Sequence, residues 1–168
     1  GRFLFKIYCM IPQRHSKFLK HAIELAVRNV KAGRGGPFGA VIVKNGKIVG
    51  AGANHVTATH DPSAHAEVVA IRTACKKLKV FHLTGCTLYA SCEPCPMCLA
   101  TCYWAHIKTV YFAATRADAA KAGFDDVFIY NEFEKPGFKR RLGLKKMTEK
   151  TKNEPFVVWK KFEMKVLY

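Results

Sequence analysis

One histidine and two cysteines in this chain have the types and the spacing of metal ligands. Glu67 stands two positions after His65, and Cys95 and Cys98 form a Cys-x-x-Cys pair further along. An imidazole and two thiolates suit tetrahedral Zn²⁺ and leave its fourth position open, whereas structural zinc sites normally fill all four positions. Zinc with an open position beside a carboxylate activates water near neutral pH. The pattern predicts a hydrolytic zinc site in which Glu67 stays off the metal and carries protons.

The elements around these ligands are expected to aim two helix N-termini at one metal. Helices are predicted to begin at Asp61 and near Pro94, because proline is tolerated in a first helical turn. His65 then lies in the first turn of one helix, and Cys95 and Cys98 are neighbours on the opening turn of the other. The positive ends of both helices favour thiolates and hydroxide, the anions that this chemistry needs.

The cysteines also admit other interpretations. A redox pair and a structural zinc site are two of them, and a third is the iron–sulfur pattern formed by Cys92, Cys95, Cys98 and Cys102. Tyr103 replaces the proline expected after that pattern, and none of the three alternatives uses Glu67. Only the hydrolytic site explains both halves of the motif, since H-x-E followed by P-C-x-x-C is typical of zinc-dependent nucleobase deaminases.

Length and composition indicate a globular chain in a reducing compartment. The 168 residues suffice for one domain with a sizeable core, and no apolar stretch approaches the ~20 residues that span a bilayer. Seven cysteines, two of them needed as thiolates, favour the cytoplasm. Residues 1–9 are apolar and basic but too short for a secretory signal. A weak mitochondrial-type leader and a natural start at Met10 are the alternatives for this segment.

The net charge of +16 admits two explanations, a polyanionic partner such as tRNA or a solvated basic face. The basic residues become denser toward the C-terminus, where they are Lys135, Lys139, Arg140, Arg141, Lys145, Lys146, Lys150, Lys152, Lys160, Lys161 and Lys165. Charge alone does not choose between the two explanations.

The order of the predicted elements is that of an α/β protein. A helix capped by Ser16 runs to about Val30, and Asn45-Gly46 predicts a tight hairpin. The other predicted elements are strands over Phe38–Val43, Lys47–Gly50, Cys86–Ala90, Lys108–Ala113 and Leu144–Glu149, and helices ending near Ala105, over Asp118–Ala122 and over Phe156–Leu167. Strands that alternate with helices after a hairpin predict a mixed sheet covered on both faces.

Further motifs allow a comparison with a known family. They are residues 35–41 (GGPFGAV), Asn54, residues 61–67 (DPSAHAE), residues 91–98 (SCEPCPMC), Trp104 and residues 123–126 (GFDD). With these motifs the chain resembles the cytidine deaminase superfamily, and more closely the small bacterial-type guanine deaminases and their plant guanosine deaminase relatives. The likeness runs from about Phe18 to Tyr168. Three features point to the guanine branch: the Phe-Gly-Ala motif that begins at Phe38, Trp104 and residues 124–126. Relatives in the tRNA adenosine branch typically have valine at the Phe38 position and lack residues 124–126.

The resemblance implies a three-layer α/β/α sandwich with a mixed central sheet, of the cytidine deaminase-like class. It implies that residues 16–168 form a deaminase domain after an N-terminal extension over residues 1–15. Zn²⁺ would be held by His65, Cys95 and Cys98, and Glu67 would shuttle protons. In this family the C-terminal segment, which includes Tyr168 here, can cover the active site of a partner subunit in a homodimer.

The resemblance also implies contacts with a purine. Asn54 would hydrogen-bond the base, Phe38 and Trp104 would pack around it, and the backbone N–H of Ala66 would meet a substrate carbonyl. Asp126 would bind the amino group that leaves. From the residues alone, each has an ordinary structural alternative: a turn asparagine, core aromatic rings or a helix cap.

We therefore expect hydrolytic deamination of guanine to xanthine and ammonia, with a small purine as substrate. Deamination of guanosine or of tRNA adenosine is the enzymatic alternative. A zinc-containing nucleic-acid-binding module is the alternative without catalysis, and Glu67 argues against it because such a module needs no carboxylate beside its metal. The dense apolar group from Phe156 to Phe162 is expected to dock near the chain end, on its own subunit or on a partner.

Overall fold

The computed structural model describes residues 13–167 of the chain. The described residues divide into two compact units, the first ending at Asp126 and the second beginning at Val127, and each is described separately below. Within the described residues, no helix has the length and apolar character needed to cross a membrane.

The first unit is built on a four-stranded mixed sheet. Its strands are β1 (Gly39–Lys44), β2 (Lys47–Ala53), β3 (Cys86–Cys92) and β4 (Thr109–Ala114). The strand order is β2-β1-β3-β4, with β1 antiparallel to both neighbours and β3 parallel to β4. The predicted hairpin is present: Asn45 and Gly46 both have positive φ, at 50° and 74°, as a two-residue primed turn requires.

Helices cover both faces of this sheet. They are α1 (Gln13–Lys31), the short α2 (Val56–Thr59), α3 (Ala66–Leu78), α4 (Pro96–Trp104) and α5 (Arg116–Lys121). On β1, Val41 packs in one cluster with Phe18 of α1, whereas Ile42 packs in the other with Ala70 of α3 and Cys102 of α4. Successive strand residues point to opposite faces, so β1 is buried on both. The predicted three-layer α/β/α arrangement with a mixed sheet is confirmed.

Helix α3 approaches β2 so closely that glycine is required on the strand. A Cβ atom added to Gly52 would lie 2.4 Å from the carbonyl oxygen of Ala66, and one added to Gly50 would lie 2.4 Å from that of Ala70. Such separations are far below van der Waals contact, so any side chain would push the helix away. These contacts hold α3 close against β2, and therefore fix where the preceding His65 stands.

The second unit contains little buried structure of its own. It comprises α6 (Val127–Glu134), a 3₁₀ turn (Gly137–Lys139) and α7 (Glu154–Lys161). None of its described residues is buried. The exposed large apolar side chains are Val127, Phe128, Phe133, Phe138, Leu142, Leu144, Met147, Phe156, Val157, Val158, Trp159, Phe162, Met164, Val166 and Leu167. An apolar surface of this extent is typical of an interaction site.

Two predicted helix starts are wrong. Helix α1 begins at Gln13, inside the predicted extension of residues 1–15, so Ser16 lies within the helix and is not its cap. Helix α3 begins at Ala66 and not at Asp61. The Asp61 carboxylate accepts hydrogen bonds from the N–H (2.8 Å) and the hydroxyl (2.6 Å) of Ser63. This local turn competes with helix formation and delays the helix.

Two predictions for the second unit also differ from the structure. Residues 144–149 form no strand, and α7 covers Glu154–Lys161 in place of the predicted Phe156–Leu167. A strand is stable only when its N–H and C=O groups pair with a neighbour, and local sequence does not supply one. Helix α6 was not predicted at all.

Candidate active site

The side chains of His65, Cys95 and Cys98 form a triangle of potential metal donors. The Nδ1 atom of His65 lies 3.6 Å from each of the two Sγ atoms, and those sulfurs are 3.6 Å apart. Tetrahedral Zn²⁺ with ordinary bond lengths requires donor separations of about 3.6–3.8 Å. Among the described residues these are the ones whose donor atoms cluster in this way. The geometry and the chemistry of the three donors therefore fit Zn²⁺.

Two of the three donors stand immediately before a helix. His65 is the N-cap of α3 and Cys95 is the N-cap of α4, and both have extended backbone conformations. Neither side chain caps its helix by hydrogen bonding, so both remain available as ligands. The sequence predicted these residues inside the first helical turn, and the structure places them just before it. The positive ends of both helices still lie beside the donors and favour anions there.

The thiols of Cys95 and Cys98 are hydrogen-bonded to each other, with their sulfurs 3.6 Å apart. This hydrogen bond lowers the pKa of Cys95 to about 4 and raises the pKa of Cys98 well above its ordinary value. The hydrogen bond with Cys95 also raises the pKa of His65. Two thiolates and a neutral imidazole can coexist at this spacing only with a compensating cation. This requirement is characteristic of a metal site, whose ligands lose protons when the metal binds.

Glu67 lines the same cavity but is not one of the three clustered donors. It is the second residue of α3, and its side chain is buried. Burial raises the pKa of the carboxyl group, which makes its carboxylate a stronger base than an exposed glutamate. A basic carboxylate beside a metal but not bound to it can accept and return protons.

A cavity of about 250 Å³ opens over these residues. The lining side chains with relevant chemistry are Phe38, His65, Glu67, Cys95, Phe124 and Asp126. Cavities that take drug-sized ligands start at about 300 Å³, so this one suits a molecule of the size of a single base.

An aromatic pair forms one part of the cavity wall. The rings of Phe38 and Phe124 meet edge to face, with centroids 5.0 Å apart and an interplanar angle of 87°. Phe38 directly precedes β1, and Phe124 follows α5. Such a pair offers two apolar walls at right angles, one for the face and one for the edge of a planar ring. The predicted Phe38 is therefore at the cavity, and Phe124, which belonged to a motif but had no predicted role, lies there with it.

Asp126 lies at the same cavity and is partly buried. Burial, followed by the negative charge on Cys95, raises the pKa of its carboxyl group. The cavity thus holds two carboxyl groups with raised pKa values, those of Glu67 and Asp126, close to one cluster of metal donors. Perturbed titratable groups that converge on one cavity are typical of catalytic sites.

Asn54 is held firmly just after β2, beside the metal cavity. Its Oδ1 accepts hydrogen bonds from the N–H groups of Gly36 and Val56, each at 3.3 Å. A Cβ atom on Gly35, whose φ is +155°, would lie 2.2 Å from the Asn54 carbonyl oxygen. Asn54 lines an adjacent cavity of about 680 Å³, to which Phe124 also contributes. Because Oδ1 is engaged, a hydrogen bond to a ligand would come from Nδ2.

Glu93 was not predicted as a functional residue, although it directly precedes Pro94 and Cys95. Its Oε2 accepts a hydrogen bond from the N–H of Arg116 at 3.1 Å, and its own N–H donates to Ala114 at 2.8 Å. These bonds join the loop that carries Cys95 to the start of α5. Glu93 therefore helps to position Cys95, and its place next to the Pro-Cys pair was the available signal.

The remaining predicted site residues are Ala66, Trp104 and Tyr168. The N–H of Ala66 is the first of α3, where helical N–H groups have no intrahelical partner, and the residue is buried beside the metal donors. Trp104 ends α4 with 66% of its surface exposed, and it is not among the residues that line the metal cavity. Tyr168 lies outside the described residues.

Comparisons with known proteins agree with this arrangement. Residues 12–114 match the family model of the cytidine and deoxycytidylate deaminase zinc-binding region. Guanine deaminase of Bacillus subtilis is 53% identical over 154 residues, which cover 92% of this chain and 99% of that protein. Its X-ray structure superimposes with a TM-score of 0.89.

Two further relatives show how widely the fold is shared. The guanine deaminase from Nitrosomonas europaea has 32% identity and a TM-score of 0.62, over 65% of this chain and 64% of that one. A tRNA-specific adenosine deaminase from Aquifex aeolicus is 38% identical over 125 residues, which cover 74% of this chain and 80% of that protein.

Proposed function

The chain belongs to the cytidine and deoxycytidylate deaminase family, and from that premise we propose that it converts guanine to xanthine and ammonia by hydrolysis. The single observation that carries the proposal is the cavity, where a zinc-type donor triangle lies beside Glu67 and the Phe38–Phe124 pair. The likeness to guanine deaminase extends over nearly the whole chain and supports this substrate.

We assign the hydrolytic chemistry to four residues. His65, Cys95 and Cys98 would hold Zn²⁺, which when bound lowers the pKa of a water molecule and so supplies a nucleophile for C2 of the base. Glu67 would accept a proton from the attacking water. It then delivers protons to the ring nitrogen next to C2 and to the departing amine, so the reaction consumes one water and releases one ammonia. Its raised pKa supports both roles, because the same group must accept and donate.

The base is oriented by residues around the cavity. One ring of the Phe38–Phe124 pair packs on a face of the purine and the other on its edge, and Nδ2 of Asn54 donates to an acceptor on that base. The N–H of Ala66 meets a carbonyl oxygen, and Asp126 receives the amino group that leaves. A site built from buried hydrogen-bonding groups rejects bases with the wrong edge, because the groups would then be left unpaired.

The partner of this chain is proposed to be a second copy with exchanged C-terminal segments. Helix α1 and β4 flank an apolar groove of about 530 Å³ that is lined by Ile23, Val27, Val30 and Ala113. No residue of β4 is buried, although it belongs to the central sheet. The second unit likewise exposes apolar side chains throughout. Exchange of one segment between identical subunits would cover both surfaces at little cost.

We assign the contacts of Trp104 and Tyr168 with the base to the assembled dimer. The catalytic domain would comprise residues 16–168, extended to Gln13 by the helix start. The six free cysteines among the described residues support the cytoplasm as its compartment, since disulfides do not persist there.

Deamination of tRNA adenosine is the second candidate, and the net charge of +16 together with the tRNA-specific relatives favours it. An ammonia-release assay with guanine, guanosine, adenosine, cytidine and tRNA separates the two, with Glu67→Gln as the inactive control. We expect rapid turnover of guanine and little of the others. Efficient deamination of tRNA with inert guanine would overturn the proposal, and no release from any substrate would favour the non-catalytic module.

A further inference from the structure

We propose that the end of the first unit remote from the metal cavity is a second binding surface, and that its ligand is single-stranded nucleic acid. This basic end comprises residues 44–47, 76–85 and 106–108. Its cationic or potentially cationic side chains are Lys44, Lys47, Lys76, Lys77, Lys79, His82, His106 and Lys108. All but Lys44 are exposed, and Lys44 is partly so. The inference is independent of the substrate of the metal site.

The fold collects these residues from separate parts of the chain. Lys44 and Lys47 pair across the hairpin turn, and Lys44 is also opposite Cys86 at the start of β3. Helix α3 runs antiparallel to β2, since its Ala66 lies against Gly52 and its Ala70 against Gly50. The C-terminal lysines of α3 are thereby carried to the end of the sheet where β2 begins.

The basic end has no acidic side chain of its own. Residues 44–47, 76–85 and 106–108 contain neither aspartate nor glutamate. Arg72, Lys121 and Lys135 form salt bridges with acidic side chains, and none of these three cations belongs to the basic end. Lysines that lack an internal counter-ion attract phosphates, and the release of counterions from a nucleic acid drives such binding.

Aromatic rings stand among these lysines. Phe81 is 52% exposed, and its ring meets His82 edge to face with centroids 5.2 Å apart. His82 in turn stacks on His106, with centroids 5.9 Å apart and planes inclined by 24°. Exposed rings surrounded by positive charge are the combination by which proteins hold single strands, since unpaired bases stack on the rings while lysines contact the backbone.

This combination favours a single strand over other polyanions. In a duplex the bases are stacked inside the helix. Its phosphates would contact the lysines, but none of its bases could stack on Phe81. A lipid surface calls for a broad apolar face, but the exposed large apolar side chains of the basic end are only Val80 and Phe81.

The basic end and the metal cavity lie at opposite ends of α3. His65 is the N-cap of this helix and Lys79 its C-cap. A helix rises about 1.5 Å per residue, so the 13 residues between the caps span about 20 Å. An occupant of the basic end would therefore leave the cavity open, and variants there should not affect guanine turnover.

The test is fluorescence anisotropy with a labelled oligothymidine of about 15 nucleotides, measured over a series of salt concentrations. The key variant is Lys77→Glu/Lys108→Glu, and the matched control is Lys20→Glu/Lys31→Glu on α1, with the same change in net charge. We expect the key variant to bind at least about tenfold more weakly, with a salt slope reduced by about two. The control should change the affinity less than about threefold.

The stacking contribution is tested with Phe81→Ala. It should weaken binding by at least about fivefold without changing the salt slope, whereas Phe81→Trp should retain binding. Equal losses in the control and key variants, or no effect of Phe81→Ala, would overturn the proposal. Preference for a duplex, or for phosphatidylserine vesicles over the oligonucleotide, would also overturn it. The circular dichroism spectrum and melting temperature of each variant report folding separately, so an error in the proposed function would not disturb the binding result.

Discussion

The side-chain Nδ2 of Asn29 donates a hydrogen bond of 2.7 Å to the main-chain carbonyl oxygen of Asn54. Asn29 is buried on the inner face of α1 and also donates to the carbonyl of Gly36 at 3.1 Å. One side chain thus connects the first helix to the two loops that shape the proposed base-binding region. It touches none of the metal donors, so it is a positioning residue and not a catalytic one.

Replacing Asn29 should therefore weaken both the fold and substrate binding. In Asn29→Ala the carbonyl groups of Asn54 and Gly36 lose a buried donor, which costs about 1–3 kcal/mol. We expect this loss in urea unfolding, together with a raised KM for guanine, a kcat that changes less and an unchanged zinc content. Ser16→Ala, an exposed change on the same helix, should stay within about 0.5 kcal/mol. An unchanged KM would show that Asn54 does not depend on this bond.

Glu67→Gln should separate catalysis from metal binding. The amide keeps the shape of the side chain and removes the proton carrier without removing a metal donor. We expect about one zinc per chain by elemental analysis and a loss of activity of at least about 10²-fold. Glu24→Gln, an exposed change on α1, should leave activity unaltered. Near-normal turnover by Glu67→Gln would show that another group carries the proton.

Cys95→Ser should remove the metal and with it the activity. The substitution breaks a triangle in which each donor lies 3.6 Å from the other two. We expect little zinc in the purified variant and a lower melting temperature, since a metal that binds the folded chain also stabilises it. Cys75→Ser is the matched control, because Cys75 is partly buried but outside the triangle. Equal zinc contents in the two variants would contradict the assigned ligands.

Gly52→Ala should disturb the metal site from a distance. The added methyl group would lie 2.4 Å from the carbonyl oxygen of Ala66, so α3 must move and His65 with it. Overpacking of this kind costs about 1–3 kcal/mol, and we expect weaker zinc retention in a chelator titration. Gly143→Ala, where the new Cβ would meet no atom within 4 Å, should behave as the unaltered protein. Identical zinc retention in the two variants would show that α3 tolerates the displacement.

The candidate metal donors could be predicted from the sequence because residue types and short spacings identify them without knowledge of the fold. The spacing from His65 to Glu67 and from Cys95 to Cys98 identifies the donors and the carboxylate before any fold is known. Their exact backbone positions could not be predicted, since the delay of α3 results from the turn that Asp61 forms with Ser63.

The hydrogen bonds that hold the site together from distant parts of the chain could not be predicted from the sequence. Asn29 looks like one polar residue among the apolar positions of α1, and its partners Gly36 and Asn54 become visible only when the loops are assembled. The sequence signal was the asparagine itself on an apolar helix face. The predicted strand at residues 144–149 failed for the same reason, because its pairing partner is not a local property.

The proposed exchange of C-terminal segments can be tested by complementation between two inactive chains. One lacks residues 162–168, and the other is full-length Glu67→Gln. The first keeps an intact metal site but has lost its terminal segment, including Phe162, which stacks on Trp159 at the end of α7. The second keeps the segment but has lost the proton carrier. Each homodimer should be nearly inactive, with zinc content and secondary structure preserved.

Heterodimers of the two chains, formed by subunit exchange and isolated with different affinity tags, should recover activity. In such a dimer the intact segment of the Glu67→Gln chain covers the intact metal site of the truncated one, so one complete site forms for each pair. Per dimer, the recovered activity should approach half that of the unaltered protein. A truncated chain mixed with itself, carried through the same exchange, controls for activity gained from handling. Verified heterodimers without activity would show that the segment acts on its own subunit, since a segment folded back in cis cannot complete the site of its partner.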